Sequence, residues 1–347
     1  MNNWTAFLQH LGAHITDAGQ MLVDTPPATD ATTLTWLGYR SIISLAGPDA
    51  SRFLQGQITA DVRQLSTHTV MGAQCNLKGR MIGSFRLVSL DPDNSQILLC
   101  SAAELAEALT ASLKKYSVFS KVDINHCPDQ WRLFGVAGSN ACELIARHTG
   151  LSLAENDTSS HNEQLVVLRL DAEHYECWVK AEAAEALWQA LAQEAYMADS
   201  GSWQLADIRR GSGHVYGATS ELFTPQALNY DLTGAVSFKK GCYTGQEVVA
   251  RLHYKGKPKK RMYRIGFAAD SAPLPGTALT DADGKVQGLL VMAAMAAPGR
   301  AEALAELPIN SAINSTSHAQ NDLFFAQTQV VERLPLPYTL PEDDNNP

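Results

Sequence analysis

The sequence contains no CxxC pair. Its six cysteines, Cys75, Cys100, Cys127, Cys142, Cys177 and Cys242, lie 15 or more residues apart. A zinc ribbon, a thioredoxin-type motif and a cluster held by neighbouring cysteines are therefore excluded. A disulfide framework is not needed either, because a chain of 347 residues can bury its own core. No run of about 18 apolar residues occurs, which excludes a spanning helix. The first 20 residues lack a basic stretch followed by an apolar one and do not read as a signal peptide. Together these absences predict a cytoplasmic setting. There is no HExxH, HxH or GxSxG, and Gly211-Ser212-Gly213 lacks the GxGxxG context, so no metal site is predicted. His10 and His14 would share a helix face, but no cysteine lies near them. Asp281-Ala282-Asp283-Gly284 lacks the later ligands of an EF-hand and reads as a hairpin turn.

Basic charge is scarce except in one place. The net charge is −9. Residues 239–264 hold nine lysines and arginines and one acid, leaving 18 basic and 35 acidic residues elsewhere. That is +8 against −17. Such segregation points to a local anion site, or to a solvated lysine-rich loop. The overall charge argues against direct nucleic-acid binding, which needs many exposed cations.

Periodicity predicts an α+β chain. Residues 33–45 read as strand, 50–58 as helix, and 70–75 and 81–90 as strands flanking the turn Asn76-Leu77-Lys78-Gly79. A strand over 96–100 and a helix over 102–116 follow. Residues 131–136, 140–148, 165–170, 175–180 and 181–197 read as strand, helix, strand, strand, helix, the order of a ferredoxin-like unit. Residues 154–163 read as a polar loop. Short strands over 262–268, 277–280, 286–295 and 323–330 predict a small C-terminal β-barrel. The proline-rich stretch 333–347 reads as a surface or disordered tail.

The most informative stretch is Ser237-Phe238-Lys239-Lys240-Gly241-Cys242-Tyr243-Thr244-Gly245-Gln246-Glu247. Glycines bracket the cysteine, and a helix can begin at Gln246. Its first N–H groups, with Lys239 and Lys240, would favour a reactive thiolate at Cys242. The alternative is a small buried hydrophobe.

This stretch resembles the signature of the YgfZ proteins, folate-binding relatives of the glycine-cleavage T-protein. The segment from Phe53 to Val62, Lys78-Gly79-Arg80, the segment from Lys114 to Val122 and Leu334-Pro335-Leu336-Pro337-Tyr338 extend the likeness over nearly the whole chain. The resemblance implies three domains in a ring around a central channel that holds tetrahydrofolate. Residues 1–125 with about 200–260 would form the first, 126–199 the ferredoxin-like second, and 261–347 the barrel and tail. It implies a protein that assists assembly or maintenance of client iron–sulfur enzymes, including those for tRNA methylthiolation, rather than a classical enzyme. Cys242 would be the functional thiol. Lys239, Lys240, Gly241, Tyr243, Gly245, Gln246, Glu247 and Arg251 would line the folate site. Trp203 matches a family tryptophan and either stacks on folate or anchors a helix. Tyr39 or Arg40 would replace a second family tryptophan.

Two departures separate the chain from the T-protein pattern. Gly83 and Ser84 stand where an acidic pair is expected, and Arg209 stands where a glutamate recognises the pterin. The missing acids count against the alternative reading, a folate-dependent aminomethyl transferase, and Arg209 bears on the pterin pose, since arginine cannot accept the pterin's N–H donors. A second alternative is a thiol redox or scaffold protein that works without folate.

Overall fold

The computed structural model describes residues 3–28, 30–66, 68–154, 157–281, 283–309, 324–325 and 328–341. The chain divides into two compact units. One comprises Met1–Leu54, Val62–Met71 and Phe85–Trp203, the other Gln55–Asp61, Gly72–Ser84 and Gln204–Pro347.

In the first unit, alternation along the strands decides which core each side chain joins. A six-stranded sheet runs in the order Ser159–His161, Leu165–Arg169, His174–Lys180, Trp131–Ala137, Thr33–Trp36, Tyr196–Met197. Phe134, Val136, Val167, Cys177 and Val179 face one way. They pack with Trp4 and Leu8 of helix Asn3–His10, Leu144 of helix Ala141–Thr149 and Trp188 of helix Ala181–Leu191. Leu133, Val166, Leu168 and Trp178 face the other way, against Ile42, Val88 and Leu98 of a second sheet. Within the first unit, strand Arg40–Ala46 of that sheet pairs with Gln96–Ala102 on one side and Asp123–His126 on the other.

Four of the six strands and two helices keep the expected ferredoxin-like order. Strand Thr33–Trp36 is inserted between the first and last of them. Tyr196 and Met197 pair in parallel with Thr33 and Leu34. This pairing explains why the helix predicted over 181–197 ends at Leu191. Residues 33–45 form two strands rather than one, broken at Leu37-Gly38-Tyr39. The predicted polar loop contains an edge strand, Ser159–His161, and residues 155–156 lie outside the described residues. His10 ends a helix and His14 begins a strand, so they do not share a helix face.

The second unit contains a closed barrel in the order Lys260–Ala268, Arg300–Pro308, Val286–Ala297, Ala278–Thr280, Phe324–Phe325, Thr328–Leu334. Tyr263, Ile265, Phe267, Ala301, Ala303, Ala305 and Leu307 fill it with period two. At the predicted hairpin turn, the Asp281 carboxylate accepts hydrogen bonds from the Lys285 and Asp283 N–H groups at 2.9 and 3.1 Å. The tail is packed as far as Leu340, which is buried in the barrel core. The Tyr338 hydroxyl donates to the Gly211 carbonyl at 3.0 Å. Apolar side chains between the tail's prolines thus hold a segment whose composition predicted a loose tail. Residues 342–347 lie outside the described residues, as do 323, 326 and 327 of the strand predicted over 323–330.

Candidate functional site

Three separate stretches of sequence converge in the second unit to form the seat of Cys242. The first is Gln55–Asp61. The Thr59 hydroxyl donates to the Ala235 carbonyl at 2.7 Å and accepts from the Ala73 N–H at 3.0 Å. The Thr59 carbonyl accepts from the Ser237 N–H at 3.0 Å, and the Gly56 carbonyl from the Thr244 N–H at 3.3 Å.

The second is the turn at Asn76–Gly79. The Asn76 side-chain oxygen accepts from the N–H groups of Lys78 and Arg80 at 2.9 and 3.0 Å. Gly79 has φ 69°, and a Cβ there would stand 2.9 Å from Cβ of Val248. The third is the motif itself. Gly245 has φ 83° and caps helix Gln246–Tyr254. A Cβ at Gly245 would overlap the Asn76 carbonyl oxygen, so only glycine fits this close approach. The side-chain oxygen of Gln246 folds back to accept the Tyr243 N–H at 3.2 Å.

Cys242 is exposed on this seat, and it is the one exposed thiol among the six cysteines. Beneath it, Tyr243 is buried, and its hydroxyl has no hydrogen-bond partner among the described residues. Burial pushes the Tyr243 phenol upward, and the nearby Cys75 thiol adds to the shift. Burial pushes Cys75 itself up to about 12. The outer thiol is accessible, whereas the inner one is held neutral.

The structure corrects the predicted anion site. Lys240 is only 7% exposed. Its Nζ donates to the carbonyls of Ile58 and Ala60 at 2.8 and 2.7 Å and lies 5.1 Å from the Tyr243 ring centre. It staples the seat and offers no charge at the surface, because a buried ammonium must spend its donors on fixed acceptors. Lys260 pairs with Glu306 at 2.8 Å, Arg261 with Asp231 at 2.6 and 3.0 Å, and Arg264 with Glu302 at 2.7 Å. Lys239, Arg251, Lys255, Lys257 and Lys259 remain exposed, with Glu247 among them. None of these five cations makes an ion pair among the described residues. Gly241 is exposed beside Cys242, and Tyr243 and Gln246 serve the seat.

The other predicted folate residues form a second group, in the first unit. Trp203 is 2% exposed. Its ring covers Gly135, where a Cβ would overlap it, and meets His174 edge-on at 5.7 Å. The packing thus favours the anchoring reading over stacking on a ligand. Tyr39 is buried in the same cluster. Arg40 donates from Nη1 to Glu176 Oε1 at 2.6 Å, and Trp178 donates to the other oxygen at 3.0 Å. Arg86 lies 3.7 Å from that second oxygen. Glu176 was missed in the sequence, where an acid inside the apolar strand His174–Lys180 was the one signal of a buried partner.

The fit to folate is uneven. Exposed cations near Cys242 suit an anionic glutamate tail. At the pterin positions, Ser84 accepts the Val215 N–H at 2.8 Å, and Arg209 pairs with Glu302 at 2.9 Å. The carboxylate beside Arg209, that of Glu302, is held by Arg209 and Arg264. Among the described residues no cluster of His, Cys, Asp or Glu could hold a metal. No described helix is long and apolar enough to cross a membrane.

No protein-family model matches the chain. It is 35% identical over 317 residues to the tRNA-modifying protein YgfZ of Yersinia pestis strain Pestoides F, covering 90% of this chain and 94% of that protein. The chain belongs to the YgfZ family. The YgfZ of Yersinia enterocolitica is 33% identical over 321 residues. The fold is that of the glycine cleavage aminomethyltransferase T of Bartonella henselae, with a TM-score of 0.75, 17% identity and 99% of this chain covered.

Proposed function

We propose that this YgfZ-family chain is a cytoplasmic folate-binding protein that assists assembly or maintenance of iron–sulfur enzymes, including those for tRNA methylthiolation. The three-domain ring around a folate channel is part of this proposal. The observation that carries it is one exposed thiol, Cys242, on a seat stapled by Lys240 and closed by Gly79 and Gly245. Lys239 and Arg251 would meet the anionic tail of a tetrahydrofolate, whose chemistry is one-carbon carriage. Cys242 would supply a soft sulfur ligand or nucleophile to a client.

The Cys242→Ser variant tests this reading. Serine is nearly isosteric but does not ionise near pH 7 and binds iron poorly. It should fold normally and lose support of client iron–sulfur enzymes in cells. Full in-cell activity of a stably expressed variant would return Cys242 to a packing role. The fold likeness supports a second reading, aminomethyl transfer. The hydrogen-bonded Ser84 counts against it, and sustained transferase turnover by purified protein would establish it. Calorimetry with tetrahydrofolate separates both from a thiol scaffold that works without folate.

A further inference from the structure

We propose that the C-terminal end of the motif helix is a docking surface for a protein partner whose face carries carboxylates around an apolar pocket. It would seat the ring of Tyr254 within reach of Cys242. The inference rests on the reading that Cys242 acts on protein clients, and it assigns the surface that would hold them.

Two independent observations meet here. The first is charge. After internal pairing removes Lys240, Lys260, Arg261 and Arg264, the cations Lys255, Lys257 and Lys259 follow the helix directly, and all three are exposed. Arg251, one turn back, is exposed as well. A carboxylate-rich face complements this segment, while the acidic remainder of the chain repels such a face elsewhere.

The second is a fixed aromatic group. Phe238 and His253 stack at 3.7 Å with their planes 10° apart. Tyr254 packs edge-on against both, at 6.1 and 4.8 Å. Its hydroxyl donates to the Phe238 carbonyl at 3.4 Å. Tyr254 is nevertheless 67% exposed. An exposed tyrosine already held in place loses little entropy on binding, and tyrosine ringed by cations matches the make-up of interface hot spots.

Geometry links this surface to the thiol. The nine-residue helix Gln246–Tyr254 spans about 13 Å at 1.5 Å per residue. That length separates Tyr254 from Gln246, but the contacts of Tyr254 with Phe238, four residues before Cys242, set a partner seated there against the segment that leads to the thiol. The observations favour protein over nucleic acid. Bases stack on open ring faces, but Phe238 and His253 each lose one face to the other, and Tyr254 is tied by its hydroxyl to the Phe238 carbonyl. The net charge of −9 also opposes a phosphate backbone.

The test measures binding of the full chain to a purified iron–sulfur tRNA methylthiotransferase by biolayer interferometry. Tyr254→Ala should weaken binding by tenfold or more. The triple variant Lys255→Glu, Lys257→Glu, Lys259→Glu should weaken it similarly at low salt. Neither should change tetrahydrofolate affinity. Undiminished partner binding by both surface variants would overturn the proposal, as would no binding by wild type. The folate reading would still be judged separately by calorimetry. Binding of a 20-nucleotide single-stranded RNA that is abolished by the same variants would reassign the surface to nucleic acid. A concentration-dependent dimer abolished by them would reassign it to a second copy of the chain.

Discussion

Each thiol's reactivity follows from what surrounds it. Burial pushes Cys75 and Cys177 up to about 12, while Cys242 stands exposed. Iodoacetamide near neutral pH should therefore modify Cys242 first and leave Cys75 and Cys177 untouched in the native protein. Mass-spectrometric mapping of a limited reaction checks this, and early labelling of Cys75 would contradict the packing. The raised values also fix a sign. The folded thiols hold their protons above the unfolded value of about 8.5, so their contribution to stability is whole below that pH and is lost as pH rises toward 12. Adjacent lysines should differ as sharply. Lys240→Met strands the Ile58 and Ala60 carbonyls and should cost about 2–6 kcal/mol in urea unfolding, since each buried acceptor left unpaired costs about 1–3. Lys239→Met should cost almost nothing. The sequence announced the cysteine through its bracketing glycines. It gave no means of telling which of two consecutive lysines turns inward, because that depends on carbonyls contributed from Gln55–Asp61.

At the scale of elements, the strand Arg300–Pro308 shows where sequence reading fails. It is composed largely of Ala, Glu and Leu, residues that favour helices, and no strand was predicted there. The structure makes it a strand because Ala301, Ala303, Ala305 and Leu307 alternate into the barrel. Glu302 and Glu306, facing the other way, find cations. Packing overrides propensity, as it does for strands generally. Helix Ala141–Thr149 shows the opposite case. It ends on Gly150 at φ 70°, a stop legible in the sequence because only local chemistry was needed. Glu302 binds the Arg300–Pro308 strand to both Arg209 and Arg264. Burial works against its charge, but the hydrogen bonds from the two guanidiniums hold its carboxyl below the usual range. Its folded pKa is depressed, so its stabilisation is present above the unfolded pKa and is lost as pH falls below it. Glu302→Gln should lower stability by about 1–3 kcal/mol at pH 7 and flatten the acid limb of the unfolding profile. An unchanged acid limb would mean that the pairs contribute nothing.

Over the whole molecule, charge is arranged by pairing as much as by composition. The sequence located the basic segment, and the structure divides it into cations that brace the second unit and cations that face solvent. That division yields a prediction for ligand binding which composition alone would miss. If Lys239 and Arg251 meet a folate tail, tetrahydrofolate affinity should fall as salt rises, because exposed pairs are screened beyond about 10 Å at 0.1 M. Two such pairs, each worth up to about 1 kcal/mol, imply a loss of up to roughly thirtyfold between low and high salt. Lys239→Ala with Arg251→Ala should remove most of that slope while leaving the unfolding midpoint unchanged, since neither side chain makes an ion pair among the described residues. Lys260→Ala should do the reverse. It frees Glu306 inside the barrel wall, lowering the midpoint and leaving the slope intact. Calorimetric titrations at three salt concentrations, run beside urea unfolding of the same variants, separate the two outcomes. A flat salt response in the wild type would remove Lys239 and Arg251 from the folate site. The binding energy would then have to come from uncharged contacts.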